Sequence, residues 1–283
     1  MAFPTTSMTS TTLANVIPDV WTSKLNDFYR AKLVCANFFT NLSSEITGGG
    51  KTFEIPNVAQ MTANVKSNAT AVTLNANTDG KVTLTVDTWY ECSFAIEKRE
   101  AREVLQSYAI QERYVKNAGY SVAAVLEDAI IALFDNFSQT TGTSAAGVQD
   151  SNVRAAIKYL ADANCDLSEC AFFMSPKAVW TDLMALDKFT LVQNTNGADP
   201  VTKGAVGMLY GIPVFMSSRI GTTLGSAQNC LAHKDAIVHA ETPVSLDTNY
   251  IPEYLSFLST ADIQFGVIEN RDTSGVWLKT AAA

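Results

Sequence analysis

Three features of the chain predict an α+β fold. A helical pattern of unusual length spans residues 98–136, a polar alternating hairpin directly precedes it, and strand and helix patterns interleave after it. The hairpin is too polar to own a core. The subunit therefore reads as one built to pack against copies of itself. At 283 residues and 47% hydrophobic content, the chain is long enough for a sizeable core in one large or two modest domains.

Along the chain, residues 5–12 hold seven Ser or Thr in eight positions, which predicts an extended arm that only a neighbour orders. Pro18 and Asp19 open a short helix with Trp21, Leu25, Phe28 and Leu33 on one face. Gly48, Gly49 and Gly50 break the chain, and residues 51–58 read as a strand. From Lys81 the alternation of Val82, Leu84 and Val86 with Thr83, Thr85 and Asp87 marks a half-exposed strand, continuing through Trp89, Tyr90 and Phe94. Residues 48–96 are thus expected to form one long hairpin with an apolar base and a polar tip. Isolated hairpins are marginal in water, so something must cover it.

In the helical stretch, Val104, Tyr108, Val115, Ala118, Val122, Val125, Ala129, Leu133 and Phe137 recur at steps of three or four, with Gln111 the exception. At 1.5 Å per residue this helix would run about 60 Å. Gly119 is a candidate bend, and the second half should be deeply buried except at Glu127 and Asp128. Beyond it come a flexible link over 140–147 and a helix capped by Ser151 or Asn152 and running to Ala163. A short strand over 171–174 follows, then a helix opened by Ser175-Pro176 and reaching about Asp187. A polar loop covers 193–207; strands are expected from Gly211, over 230–239 and over 256–269, with a last one ending at Lys279.

Net charge is −8 with a pI near 4.8, which argues against a dedicated nucleic-acid-binding surface but not against a container for nucleic acid. The five cysteines are odd in number and form no CxxC, which reads as buried free thiols in a reducing compartment. No apolar run approaches the roughly 18 residues of a membrane span, and no signal peptide is legible at the N-terminus. Gly49-Gly50-Lys51-Thr52 has Glu45 where a phosphate-binding loop needs glycine, and a strand rather than a helix follows. His233, Asp235, His239 and Glu241 alternate, which on one strand would place four ligand-type groups on a face; ordinary strand polarity is the better reading. No G-x-S-x-G is present and no carboxylate pair is placed as a dyad, so no catalytic, cofactor-binding or metal-binding residue is assigned.

This ordered series resembles a tailed-bacteriophage major capsid protein of the HK97-like fold. The likeness covers essentially the whole chain. It rests on the order of the parts and on local phrases: Ile17-Pro18-Asp19-Val20-Trp21 before an amphipathic helix, Phe173-Met174-Ser175-Pro176 before another, and Gly211-Ile212-Pro213-Val214 with Ser217. It implies an α+β HK97-like capsid fold with an N-terminal arm (1–18), a leading helix and the start of the peripheral domain (19–47) and an extended β-hairpin loop (48–96). A long spine helix (97–148), a mixed α/β apical domain (149–250) and return strands to the peripheral domain (251–283) complete it. It further implies a shell of pentamers and hexamers of this chain around double-stranded DNA, located in the virion and assembled in the host bacterial cytoplasm. No cofactor and no membrane are expected. Separate scaffolding, portal and decoration proteins are candidate partners; no long scaffolding-like extension precedes the arm, so scaffolding would be another chain. Assembly contacts are expected at Lys51, Lys66, Asn77 and Lys81 of the hairpin, with the lysines facing carboxylates of a neighbour, and at Asn194, Asn196 and Asp199 near a ring axis. The alternatives are an encapsulin-like nanocompartment shell of the same fold and, from another class, a soluble enzyme of unknown reaction.

Overall fold

The computed structural model describes residues 33–46, 51–59, 61–75, 79–97, 110–185 and 205–282. The Ser/Thr-rich segment, the helix expected after Pro18 up to residue 32, the triple glycine, the first part of the long helical pattern with Val104 and Tyr108, and the loop expected from 193 to 204 lie outside the described residues.

In chain order the elements are β1 (Thr40–Asn41), α1 (Ser43–Ile46), β2 (Thr52–Asn57), β3 (Gly80–Thr85), β4 (Thr88–Glu97), α2 (Ile110–Ile131), β5 (Gln139–Gly142) and α3 (Asp150–Asp162). There follow β6 (Cys170–Met174), β7 (Ala205–Leu209), β8 (Ile212–Met216), β9 (Thr222–Thr223), β10 (Ser226–His233), β11 (Ile237–Glu241), β12 (Ser245–Ile251), β13 (Ser256–Glu269) and β14 (Gly275–Ala281). They build a five-stranded sheet in the order β1-β11-β13-β12 with β4 on the other side of β13. A seven-stranded sheet runs β5-β14-β10-β6-β8-β7 with β9 beside β10, and β2 and β3 stand apart as a two-stranded ribbon.

β6 is buried at every position, and its period of two divides its side chains between two cores. Ala171 and Phe173 face the core shared with α2 and the five-stranded sheet, where Val122, Leu126, Ile130, Ile263 and Phe265 also pack. Phe172 and Met174 face the second core, closed by Val153, Ala156 and Leu160 of α3 and by Val179 and Leu183. Between the sheets an aromatic group of Phe38, Phe39, Phe134, Phe173 and Phe215 sits with ring centroids 5.3–6.0 Å apart. The crossings from β10 to β11 and from β13 to β14 run side by side: Asn270 N donates to Ala236 O at 2.8 Å and Arg271 N to the same oxygen at 3.2 Å.

The structure corrects several expectations. The long helix ends at Ile131, not at 136; Leu133 N and Phe134 N bond carbonyls three residues back, tightening the last turn before Phe137 enters the core. The hairpin ladder stops at Thr85. The strand expected to run from Lys81 through Phe94 is two strands: β4 turns away after Val86–Asp87 and pairs with β13 over ten residues, from Thr88–Phe265 to Glu97–Ser256. The expected link over 140–147 begins instead with β5, parallel to β14. α3 starts at Asp150 after Gln149, which makes no side-chain cap bond, so Ser151 and Asn152 lie inside the first turn. Ser175 does cap as expected, its Oγ accepting from Ala178 N at 3.4 Å. The expected strand over 230–239 divides into β10 and β11, which belong to different sheets. The last strand, β14, lies inside the seven-stranded sheet against β10 rather than with the strands that pack on α2.

Candidate assembly interface

The ribbon is the part of the molecule least supported by its own chain. β2 and β3 pair over six residues, Thr52–Thr85 to Asn57–Gly80, and at the root Leu84 and Val86 bury against Val238 and Ala240 of β11. Beyond the ladder the two limbs are joined by side chains that substitute for strand pairing. Asn64 Nδ2 donates to Asn75 Oδ1 at 2.9 Å, Asn75 Nδ2 to Thr62 O at 2.6 Å, and Ala59 N to Asp79 Oδ1 at 3.1 Å. Every described residue from 61 to 75 is exposed, and so are large apolar side chains: Val58, Met61, Val72, Leu74 at 88% and Val65 at 98%. A row of apolar side chains this open marks a contact surface.

The expected contact lysines differ among themselves. Lys81 already pairs with Glu54 across the ribbon, both groups exposed, so its charge is matched within the chain. Lys66 folds onto the tip turn, its Nζ donating to Ser67 O at 3.1 Å and Thr70 Oγ1 at 3.2 Å. Lys51 is exposed at the root, and its carbonyl accepts from Val86 N at 2.9 Å. Asn77, Asn194, Asn196 and Asp199 lie outside the described residues.

Sequence reasoning passed over Glu127 as an interruption of an apolar face. It is fully buried, and its carboxylate holds the segment that precedes β1. Oε1 accepts from Val34 N at 2.8 Å and Cys35 N at 2.9 Å; Oε2 accepts from Cys35 N at 3.0 Å and Ala36 N at 3.1 Å. The signal was present as a lone acid on the most apolar half of a helix, where only a set of donors repays desolvation. Its neighbour Asp128 makes a two-point ion pair with Arg219, Nε to Oδ1 at 2.7 Å, tying α2 to the loop after β8. This pair edges a shallow recess lined also by Ile131, Ser218, Gly221 and Gln228.

The histidine face does not form, because the chain crosses between sheets at 234–236. His233, in the seven-stranded sheet, lies 3.3 Å from Glu169, while His239 is fully buried in the five-stranded one. Among the described residues no group of three or more His, Cys, Asp or Glu is placed to hold a metal ion. All five cysteines are free, and Cys35, Cys170 and Cys230 are buried. Burial raises their thiols, that of Cys170 to about 12, which keeps them unreactive. Among the described residues no helix is long and apolar enough to cross a membrane.

Both ring nitrogens of His239 lack a hydrogen-bond partner, and burial pushes its pKa down to about 4 from an ordinary 6.5. The lowered value means stability that is present above pH 6.5 and lost as pH falls through about 4. Glu269 works in the opposite sense: burial and the adjacent Asp272 raise it to about 7, so its contribution is lost as pH rises. Comparing His239→Leu with the parent isolates the first effect. The variant should be more stable by about 1 kcal/mol at pH 7, and its advantage should widen from pH 6.5 downwards in urea titrations. A constant gap across that range would show that His239 is not held neutral.

No family model matches the chain, and no curated protein matches it. Solved structures do, along nearly their whole length. A protein of Mycobacterium phage Che8 superposes with a TM-score of 0.76 at 19% identity, covering 93% of this chain and 96% of that one. The capsid structure of the cyanophage P-SCSP1u gives 0.71 at 12% identity, covering 96% and 95%. The capsid of the native GTA particle gives 0.71 at 13% identity, covering 98% and 100%. The chain therefore has the fold of phage capsid proteins, and the α+β, HK97-like architecture expected from its sequence stands.

Proposed function

We propose that this chain is a major capsid protein. Copies of it assemble through pentamers and hexamers into an icosahedral shell that encloses a double-stranded DNA phage genome. The observation that carries the reading is the ribbon: a two-stranded arm whose described distal residues, 61–75, are all exposed, with Val65 and Leu74 almost entirely in solvent, on a body with a capsid fold. A neighbouring copy supplies the missing cover, and many such contacts sum to a stable shell. Lys51 and Lys66 face carboxylates of that neighbour, Asn77 lies within the same contact, and Asn194, Asn196 and Asp199 approach a ring axis. The acidic net charge suits a container that does not grip its cargo. The protein works in the virion after assembly in the host cytoplasm, with scaffolding, portal and decoration proteins as separate chains, and it has no catalytic role.

The test is electron microscopy of the purified chain, alone and with a scaffolding partner, beside a variant lacking residues 62–79. The full chain should give hollow particles. The variant should keep the circular dichroism and melting of a folded subunit and give none. Monomers only from the full chain under all assembly conditions, or normal shells from the variant, would each count against the reading.

A further inference from the structure

Strand β12 ends the five-stranded sheet. It pairs with β13 on one side and with no strand on the other among the described residues. Six of its seven residues are exposed. An open edge of this kind is a template for another strand, and folded proteins guard such edges with lysine, proline, a bulge or a covering element. β12, Ser-Leu-Asp-Thr-Asn-Tyr-Ile, has no lysine and no proline, its register against β13 is unbroken, and Asp247 is its single charge. Two other outer strands carry such guards: β4 has exposed Glu91 and Glu97, and β2 has Pro56. The surroundings of β12 are apolar and open. Leu246 is 45% exposed, and at the turn into β13 Tyr254 is 71% and Leu255 63% exposed. Leu255 holds a left-handed backbone (φ 47°, ψ 36°), a conformation costly for a branched side chain.

The strand is also complementary to itself. In an antiparallel pair of two copies centred on Thr248, Asp247 stands opposite Asn249 of the second copy, so a carboxylate meets an amide donor. Leu246 stands opposite Tyr250 on the other face, and the exchange is symmetric, as a two-fold contact requires. Centring on Asp247 would set two carboxylates against each other; moving one residue the other way would lose both favourable pairs. We propose that β12 is a two-fold interface at which the five-stranded sheets of two copies join into one continuous sheet. This goes beyond the shell reading, because it concerns the opposite side of β13 from β4 and does not involve the ribbon.

The test uses the full-length protein carrying Thr248→Cys, oxidised mildly and run on non-reducing gels. The parent gives the background of its five native thiols, and Lys158→Cys on α3 measures chance collisions. Two cysteines facing each other across an antiparallel pair lie within disulfide range, so Thr248→Cys should give dimer well above both controls. Adding Asn249→Asp should cut the dimer yield about tenfold, because two like-charged pairs then stand directly opposite. The exchange Asp247→Asn with Asn249→Asp should restore it, because carboxylate again faces amide. Dimer no greater than with Lys158→Cys, or no recovery in the exchanged variant, overturns the interface. Shells without the cross-link would sink this inference and leave the shell reading; the cross-link without shells would do the reverse.

Discussion

Replacing Glu127 with alanine should cost the subunit about 3–5 kcal/mol, the largest loss expected from a single side chain here. The carboxylate is fully buried and accepts from three successive backbone amides, Val34, Cys35 and Ala36. The substitution leaves those donors unsatisfied and opens a cavity between α2 and the segment before β1. Glu127→Gln is a sharper probe than it looks. The amide keeps one acceptor oxygen but turns an NH2 group toward backbone N–H, so it should lose a large part of the same free energy. Urea titration of dissociated subunits reads both, as a lower midpoint with an unchanged slope. An alanine variant that unfolds at the parental midpoint would mean that the nest of amides is not what holds this segment.

Gly266→Ala should displace the ribbon from the body. A β-carbon at position 266 would lie 2.1 Å from Thr85 O, 2.8 Å from Thr85 C and 3.1 Å from Val86 Cα. All three are backbone atoms, so no rotamer change relieves the clash; either β13 or the root of β3 must move. The expected loss is about 1–3 kcal/mol in the subunit, with the damage concentrated where Leu84 and Val86 meet β11. Hydrogen exchange should show faster amides over 80–86 while the β10–β14 ladder keeps its protection. Gly119→Ala supplies the control: the same atom added in α2 meets nothing within 4 Å and should stabilise by about 1 kcal/mol. Equal protection of residues 80–86 in the Gly266 variant would show that the crossing tolerates a side chain.

The parts of this fold that were legible are those whose signal is local. Period two announced β3, period 3.6 announced α2, and Ser175-Pro176 announced the helical turn it opens. What escaped reading depends on partners far away in the chain. Nothing between Lys81 and Phe94 tells that the first half pairs with β2 and the second with β13, since both halves alternate in the same way. The break inside 230–239 was equally silent: His233 and His239 look like neighbours on one strand until the chain crosses sheets between them. Gln139–Gly142 carries Thr and Gly and reads as linker; only β14, beyond residue 274, makes it a strand. Of the expected contact lysines, Lys81 turned out to have its counter-charge on the facing strand, which the sequence held at Glu54 all along.

The placement of β14 has a kinetic consequence. It sits between β5 and β10, and its parallel pairing joins Gln139 to Val276 across almost half the chain. Closing so large a loop precedes any reward from the contacts it brings, so this step should limit the folding rate. The ribbon, by contrast, joins nearby residues, and hairpins of this kind form in microseconds. The arm that reaches outward is therefore ready early, while the body that must carry it ripens late. During that interval β10 and β5 each show an unpaired side, and the nascent subunit is at its most prone to mispairing.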